Sequence, residues 1–181
     1  DQPPHIAAEP RIWESIHDGI ESAAHKASGI KGRLARRSLA AARTVGAGKA
    51  GLGDRFWHMV GSSAVFPKVR NVTGGKMRMM VSGGGALPKH VDELLLGVGL
   101  PILNGYGLTE TSPVTSIRSP KTNRPYTIGA PLLETEVQRR DLEGNLTDQT
   151  SSGVIWIRGP QVMQGYYKNE ERTRQVLDPE G

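Results

Sequence analysis

The chain has 181 residues, 36% of them hydrophobic and 23% charged, with a formal net charge of +5 and no cysteine. The missing cysteines exclude a disulfide framework, a cysteine-based zinc site and a thiol nucleophile. No apolar run reaches the roughly 18–20 residues needed to cross a bilayer, since the stretch Leu94 to Leu103 is interrupted by Gly97, Gly99 and Pro101.

At the start of the chain, Ile12, Ile16, Ile20 and Ala24 recur every four residues and predict an amphipathic helix from Arg11 to about Ser28. Glu14, Asp18 and Glu21 fall on its remaining faces. The charge then changes. Between Lys26 and Lys49 stand Lys26, Lys31, Arg33, Arg36, Arg37, Arg43 and Lys49 without one carboxylate, so the remaining chain is net acidic and the sequence pI of about 9.7 is local. With Leu34 and Leu39 among alanines, this segment reads either as a solvated basic helix or loop, or as a face lying on anionic lipid at about 1 kcal/mol per adjacent cation. Nucleic acid is not expected as a partner, because the cations lack interleaved aromatics and a binding motif. Phe56, Trp57, Met59, Val60, Val65 and Phe66 supply either an apolar patch or core. Residues 1–67 are therefore expected as a basic helical segment, distinct from residues 68–181.

Residues 76–82, KMRMMVS, predict a short buried strand that ends at Gly83, Gly84 and Gly85. A helix follows, with Leu87, Val91, Leu94, Leu95 and Val98 on one face, Pro88 near its start, and Gly97 and Gly99 at its end. Leu100 to Leu103 predicts a second strand leading into Asn104. Strand, glycine loop, helix, strand and loop make an α/β unit. Parallel strands so connected bring both loops to one carboxyl edge, where ligands bind. A plain tight turn also accounts for the three glycines.

The loop NGYGLTETSP, residues 104–113, is the most chemically loaded segment. Gly105 and Gly107 leave its backbone uncrowded. Tyr106 offers a stacking face for a purine, worth roughly 1–3 kcal/mol, Thr109 a hydroxyl for a phosphate, and Glu110 a hard oxygen for Mg2+. An ordinary turn with a solvated glutamate has the same composition.

Other templates fail. Val45 to Lys49 mimics a phosphate loop, but Arg43 stands where its first glycine belongs and Ala50 where Ser or Thr must reach Mg2+; Gly74-Gly75-Lys76 fails likewise at Arg70 and Met77. His5, His17, His25, His58 and His90 show no metal-binding spacing, and there is no G-x-S-x-G elbow. They read as surface or core histidines. Beyond residue 113 the chain is mostly β: a polar loop to Tyr126, a strand from Leu133 to Arg140, a turn at Leu142 to Asn145, a connector from Thr147 to Ser152, and an apolar strand from Val154, expected to be buried. A helix from near Asn169 to Leu177 ends the pattern, with Tyr166 and Tyr167 expected to pack between strand and helix.

VSGGGALP (81–88), NGYGLTETSP (104–113), IGAPLLETEV (128–137) and GVIWIRGPQVMQGYYKNEERT (153–173) resemble, in order, the signature blocks of the adenylate-forming superfamily, nearest to its long-chain fatty acyl-CoA and acyl-ACP synthetases. One departure is Gly153-Val154, where family members often have Gly-Glu. The resemblance implies an α/β fragment of the large N-terminal domain and a two-step, ATP- and Mg2+-dependent reaction. A fatty acid carboxylate attacks the α-phosphorus of ATP, and CoA or acyl carrier protein then captures the acyl group. It implies that Tyr106 stacks on adenine, Thr109 contacts the α-phosphate and Glu110 holds Mg2+. Gly83, Gly84 and Gly85 would line the adenine and acyl pocket, and Asn104 would meet the adenine edge beside Gly105 and Gly107. No side chain is needed as nucleophile, because the substrate carboxylate attacks. The apolar residues 56–66 then gain a further reading, as part of an acyl tunnel.

The chain begins at Asp1 without Met and stops at Gly181, which suggests a piece of a domain. The resemblance places a Gly/Ser/Thr-rich phosphate loop upstream, and a ribose-binding Asp and a mobile domain with its Lys downstream. This piece alone is expected to bind ATP weakly and turn over little, and a non-catalytic nucleotide- or membrane-binding remnant is the alternative outside the enzyme class. The whole protein is expected in the cytoplasm, with peripheral membrane contact through 26–49 as the open alternative.

Overall fold

The computed structural model describes residues 5–148 and 151–178. Its elements are β1 (His5–Ala8), α1 (Pro10–Lys26), α2 (Gly29–Gly46), α3 (Leu52–Ala64), α4 (Phe66–Val72), β2 (Met79–Ser82), α5 (Lys89–Gly97) and β3 (Ile102–Tyr106). They continue with β4 (Ser116–Ile117), β5 (Ala130–Pro131), β6 (Glu136–Arg140), β7 (Val154–Arg158) and α6 (Glu170–Val176). Contacts divide the chain into two compact units: Asp1–Gly105 with Arg118–Gly129, and Tyr106–Ile117 with Ala130–Gly181.

In the first unit, β1, β2 and β3 run parallel. Ala8 lies opposite Ser82, and Ser82 opposite Asn104. The expected strand–loop–helix–strand order is present, with α5 as the crossover between β2 and β3. The strand β1 was not legible in advance, because HIAA carries no alternation and exists as a strand through its pairing with β2. Trp13, Leu39, Phe66, Met80, Val91, Leu94, Leu95 and Ile102 form one core with the partly buried Leu87 against it. Each such large side chain contributes about 1.5–3 kcal/mol on burial. The helices before residue 68 thus share their core with β2, α5 and β3.

The helix α1 starts with Pro10 at its first position, where a missing N–H costs nothing. Its buried residues are Trp13, His17, Ile20 and Ala24, so the expected ladder holds at Ile20 and Ala24, and Ile16 is half-buried against the core; only Ile12, 50% exposed, falls outside it. Trp13 takes the place of Ile12, since the larger apolar body gains more by burial. Helices α2 and α5 touch backbone to backbone. A Cβ on Gly46 would strike the Glu93 carbonyl, and one on Gly97 would strike the Ala42 carbonyl. The far end of α5 is capped from outside: Arg70 donates to the Val98 carbonyl at 3.0 Å and His58 Nε2 to the Gly97 carbonyl at 2.7 Å. A carbonyl only accepts, so Nε2 carries the proton.

The basic segment runs from Lys26 at the end of α1 through the helix α2 to the turn before α3. Arg36 donates to the Ala24 and Ala27 carbonyls at the end of α1, Arg43 pairs with Glu21, and Arg37 lies 5.1 Å from the Trp57 ring centre. Lys26, Lys31, Arg33 and Lys49 are exposed. Of the apolar group after it, Phe66 is core while Phe56 and Met59 are exposed.

In the second unit β4 pairs with β5 and β6 with β7, both antiparallel. The turn between β6 and β7 is fixed by Asp141, whose carboxylate accepts the Asn145 N–H at 2.7 Å; of the expected connector Thr147 to Ser152, residues 149 and 150 lie outside the described residues. The helix α6 is capped by Asn169, which accepts the Arg172 N–H at 3.1 Å. The strand β7 corrects an expectation. It is not buried: Val154, Ile155 and Trp156 are 46%, 40% and 37% exposed, because its only ladder partner among the described residues is β6.

Candidate active site

The carboxyl edge of the first unit's sheet collects three segments. Glu9 follows β1, Gly83 follows β2, and Asn104 and Gly105 end the part of β3 in this unit. Gly84 has φ +81°, a conformation open to glycine, and a Cβ on Gly83 would meet no protein atom within 4 Å. Space therefore lies beside this loop. Asn104 is buried, and its Nδ2 donates to the Thr127 carbonyl at 3.2 Å, leaving Oδ1 buried without a partner. Ser82, in register with Asn104, also has a buried hydroxyl without a partner.

A buried ion pair fixes the segment that faces Asn104. Arg118 Nη1 and Nη2 reach the two oxygens of Asp92 at 2.8 Å each, with the side chains 0% and 2% exposed. Arg118 Nε donates to the Thr127 carbonyl at 2.7 Å, and the Tyr126 N–H donates to Asp92 at 3.0 Å. The Tyr126 hydroxyl donates to Glu93, whose acceptance and charge push the phenol up to about 12. Nothing in the residue pattern announces this network; Asp92 and Arg118 look like ordinary surface charges 26 residues apart.

In the second unit, Tyr106, Gly107, Thr109 and Glu110 lie on one loop whose turn runs through Thr109–Thr111. Thr111 organises it: its hydroxyl accepts the Leu108 N–H at 2.9 Å and is bonded by the Thr115 hydroxyl at 3.1 Å. Gly107 is glycine for an internal reason, since a Cβ would strike the Pro113 carbonyl. Thr109 is exposed and Tyr106 half-buried.

Glu110 is held from the far end of the chain. Its carbonyl accepts the Met163 N–H at 2.8 Å and its Oε1 accepts the Tyr166 hydroxyl at 2.7 Å. That hydroxyl, then the residue's own backbone amide, and more weakly the Arg172 charge hold the carboxyl below its ordinary range, outweighing a small desolvation. Tyr166 packs as expected towards α6, its N–H donating to Thr173, but its hydroxyl serves Glu110; Tyr167 does not pack and is 87% exposed. Glu110 and Tyr166 line a groove of about 660 Å³ with Trp156, Ile157, Met163 and Leu177.

No group of three or more His, Cys, Asp or Glu side chains converges among the described residues. The donor set fits Mg2+ bound with a nucleotide, because that ion takes one or two carboxylates and completes its shell with phosphate oxygens and water. Glu110 supplies an ionised carboxylate with Oε1 engaged by Tyr166.

A parallel sheet with glycine loops at its carboxyl edge is the arrangement of an α/β protein that binds ligands outside the carboxyl ends of its strands. Residues 2–167 match the family described as AMP-binding enzyme, and the chain belongs to that family. Among curated relatives, it is 42% identical over 125 residues to the chloroplastic long-chain-fatty-acid–[acyl-carrier-protein] ligase AEE15 of Arabidopsis thaliana, covering 68% of this chain and 17% of the relative. It is 34% identical over 192 residues to the peroxisomal long chain acyl-CoA synthetase 7 of the same plant, covering 99% and 26%. The chain thus spans about a quarter or less of the length of these relatives. Among solved structures, the ATP-bound RpMatB-BxBclM chimera B3 matches with a TM-score of 0.57 and 25% identity over 66% of this chain and 25% of that one.

Proposed function

We propose that the protein to which this chain belongs activates a long-chain fatty acid with ATP and passes the acyl group to CoA. The observation that carries the reading is the Glu110 carboxylate, hydrogen-bonded by Tyr166 and held below its ordinary range, on the loop that also bears Tyr106 and Thr109. Long-chain acid as substrate is supported by the synthetase relative that aligns with 99% of the chain.

In this reading a carboxylate oxygen of the fatty acid bonds to the α-phosphorus as the bond to the β-phosphate oxygen breaks and pyrophosphate leaves. A thiol sulfur then bonds to the acyl carbon and AMP departs. Negative charge accumulates on the phosphoryl oxygens in the first step, so positioning and cationic stabilisation supply most of the rate. Mg2+, when bound, neutralises part of that charge. Glu110 holds the ion, Thr109 donates to the α-phosphate, and Tyr106 stacks on adenine. Gly83, Gly84, Gly85, Gly105 and Gly107 belong to loops that line the nucleotide, with Asn104 at the adenine edge. The test is exchange of labelled pyrophosphate into ATP by the full-length protein. Exchange that appears only with fatty acid is expected; exchange indifferent to fatty acid overturns the substrate assignment. The present chain alone is expected to bind ATP weakly without turnover.

The carrier-protein ligase relative supports a second reading, acyl carrier protein as acceptor. Thioester formation with each thiol offered separately decides between the two. The exposed cations Lys26, Lys31, Arg33 and Lys49, with Leu52, Phe56 and Met59 exposed at i, i+4 and i+7 on α3, support peripheral lipid contact by a cytoplasmic protein. No helix among the described residues is long and apolar enough to cross a membrane. Co-sedimentation with phosphatidylserine vesicles, lost on charge reversal of those cations, is the expected result.

A further inference from the structure

Asn104 ends the first unit's part of β3 with one side of its amide committed and the other idle. The commitment is unambiguous: a carbonyl only accepts, so the group facing Thr127 O at 3.2 Å is the NH2 and the opposite atom is Oδ1. Oδ1 is buried and unpartnered. A buried amide oxygen without a donor is costly, about 1–3 kcal/mol, and such a group points to a ligand that brings the donor.

What prevents the amide from turning over is the Thr127 carbonyl, and what holds that carbonyl is Arg118. Its Nε donates to Thr127 O at 2.7 Å while its other two nitrogens are taken by Asp92. All three nitrogens of the guanidinium are engaged, and the plane cannot rotate without breaking a buried pair. Arg118 further donates its backbone N–H to the Asn104 carbonyl at 3.0 Å, so the same residue fixes Asn104 at main chain and, through Thr127, at side chain. The start of α5, the Arg118–Gly129 segment and β3 are thereby locked in one arrangement.

We propose that Arg118, clamped by Asp92, is a positioning residue that selects adenine over guanine by holding Asn104 with its Oδ1 as the free acceptor. The proposal rests on the nucleotide reading given above. Adenine presents an amino donor at the position where guanine presents a carbonyl oxygen. An acceptor held in place satisfies the first and leaves two oxygens facing each other with the second. A freely turning amide would accommodate both, because its NH2 would meet the guanine oxygen. Discrimination therefore resides in the restraint on Asn104 as much as in Asn104 itself. Ser82, whose unpartnered hydroxyl lies in register beside Asn104, offers a donor or an acceptor and does not discriminate.

The test is equilibrium binding of ATP and of GTP to the full-length protein, with the ratio of the two affinities as the readout. Arg118→Lys keeps a cation beside Asp92 but cannot reach both Asp92 and Thr127. It is expected to lower the ATP to GTP ratio about three- to tenfold, the value of one hydrogen bond. Asn104→Ala is expected to lower the ratio at least as far, and adding Arg118→Lys to it is expected to change the ratio no further, since both act through one atom. Should Arg118→Lys fail to fold, Asn104→Asp tests the same contact with the ion pair intact. Its carboxylate repels the Thr127 carbonyl and offers an acceptor in every orientation, so it is expected to weaken ATP binding while keeping ATP preferred. GTP preferred by that variant would overturn the proposal. An unchanged ratio in a folded Arg118→Lys protein, with both affinities falling together, would show a merely structural role and overturn the positioning claim while sparing the nucleotide reading. Absence of ATP binding by the unaltered full-length protein would remove both.

Discussion

The hydroxyl of Tyr166 donates to Oε1 of Glu110 at 2.7 Å, across 56 residues of sequence. It ties the loop of the candidate active site to the segment that leads into α6, and it is the largest influence holding the Glu110 carboxyl below its ordinary range.

Replacing Tyr166 by Phe removes that donor with little change of shape. The Glu110 pKa rises towards the ordinary carboxylate range, so the acid limb of pyrophosphate exchange moves to higher pH, while the rate near pH 7 changes little because the carboxyl remains ionised. The sign follows from a depressed native pKa: its contribution to stability is present above the unfolded value and is lost as pH falls through the native one. A pH–rate profile of both proteins measures the displacement. An acid limb that stays in place would separate Tyr166 from Glu110.

Glu110→Ala has a different signature. Exchange falls by about a hundredfold, in line with the loss of one electrostatic stabiliser, and the Mg2+ concentration needed for half-maximal rate rises. Titration of exchange against Mg2+ for the two proteins checks it; an unaltered Mg2+ dependence would take Glu110 out of the metal's shell.

Breaking the Asp92–Arg118 pair from one side leaves a buried guanidinium without its counter-charge. Asp92→Ala is expected to destabilise the protein by about 3–5 kcal/mol, read as a fall in the denaturant midpoint at unchanged slope.

Two glycines in helices give opposite outcomes. Gly97→Ala drives a methyl group into the Ala42 carbonyl of α2 and is expected to cost about 1–3 kcal/mol. Gly19→Ala in α1 meets nothing within 4 Å and is expected to stabilise by about 0.5–1 kcal/mol. Thermal melts of the pair against the unaltered protein decide both.

Tyr126 titrates late. Glu93 accepts from its hydroxyl and raises its pKa to about 12, so this phenol ionises after an ordinary tyrosine. The contact stabilises the fold below about 10, the unfolded value, and is lost as pH climbs towards 12. Ultraviolet titration of Glu93→Gln should show one tyrosine returning towards the ordinary range.

The parts of the fold legible in the sequence are those encoded locally. Val91, Leu94, Leu95 and Val98 share a face, with Pro88 before them and Gly99 after, and α5 lies where they place it between two parallel strands. The α1 ladder holds at Ile16, Ile20 and Ala24 and departs only at its start, because regular isoleucine spacing carries no information about side-chain volume, and Trp13 outweighs Ile12. The Tyr166 hydroxyl, the Asp92–Arg118 pair and the engagement of Arg36 with the end of α1 were hidden for another reason. Each joins residues 9 to 56 positions apart, and a hydrogen-bonding partner leaves no periodic trace. The apolar run of β7 read as core, whereas the described residues give it one neighbour only.

The helix α5 is secured at three places: Arg118 and Tyr126 grip Asp92 in its first turn, Arg70 and His58 take the carbonyls at its far end, and α2 presses on its flank with bare backbone. The strand β2 is pinned on both sides by β1 and β3. The short bridge from Gly83 to Pro88 thus spans two elements anchored independently of one another, and it turns between them through Gly84 at φ +81°, a conformation that side-chain-bearing residues rarely take.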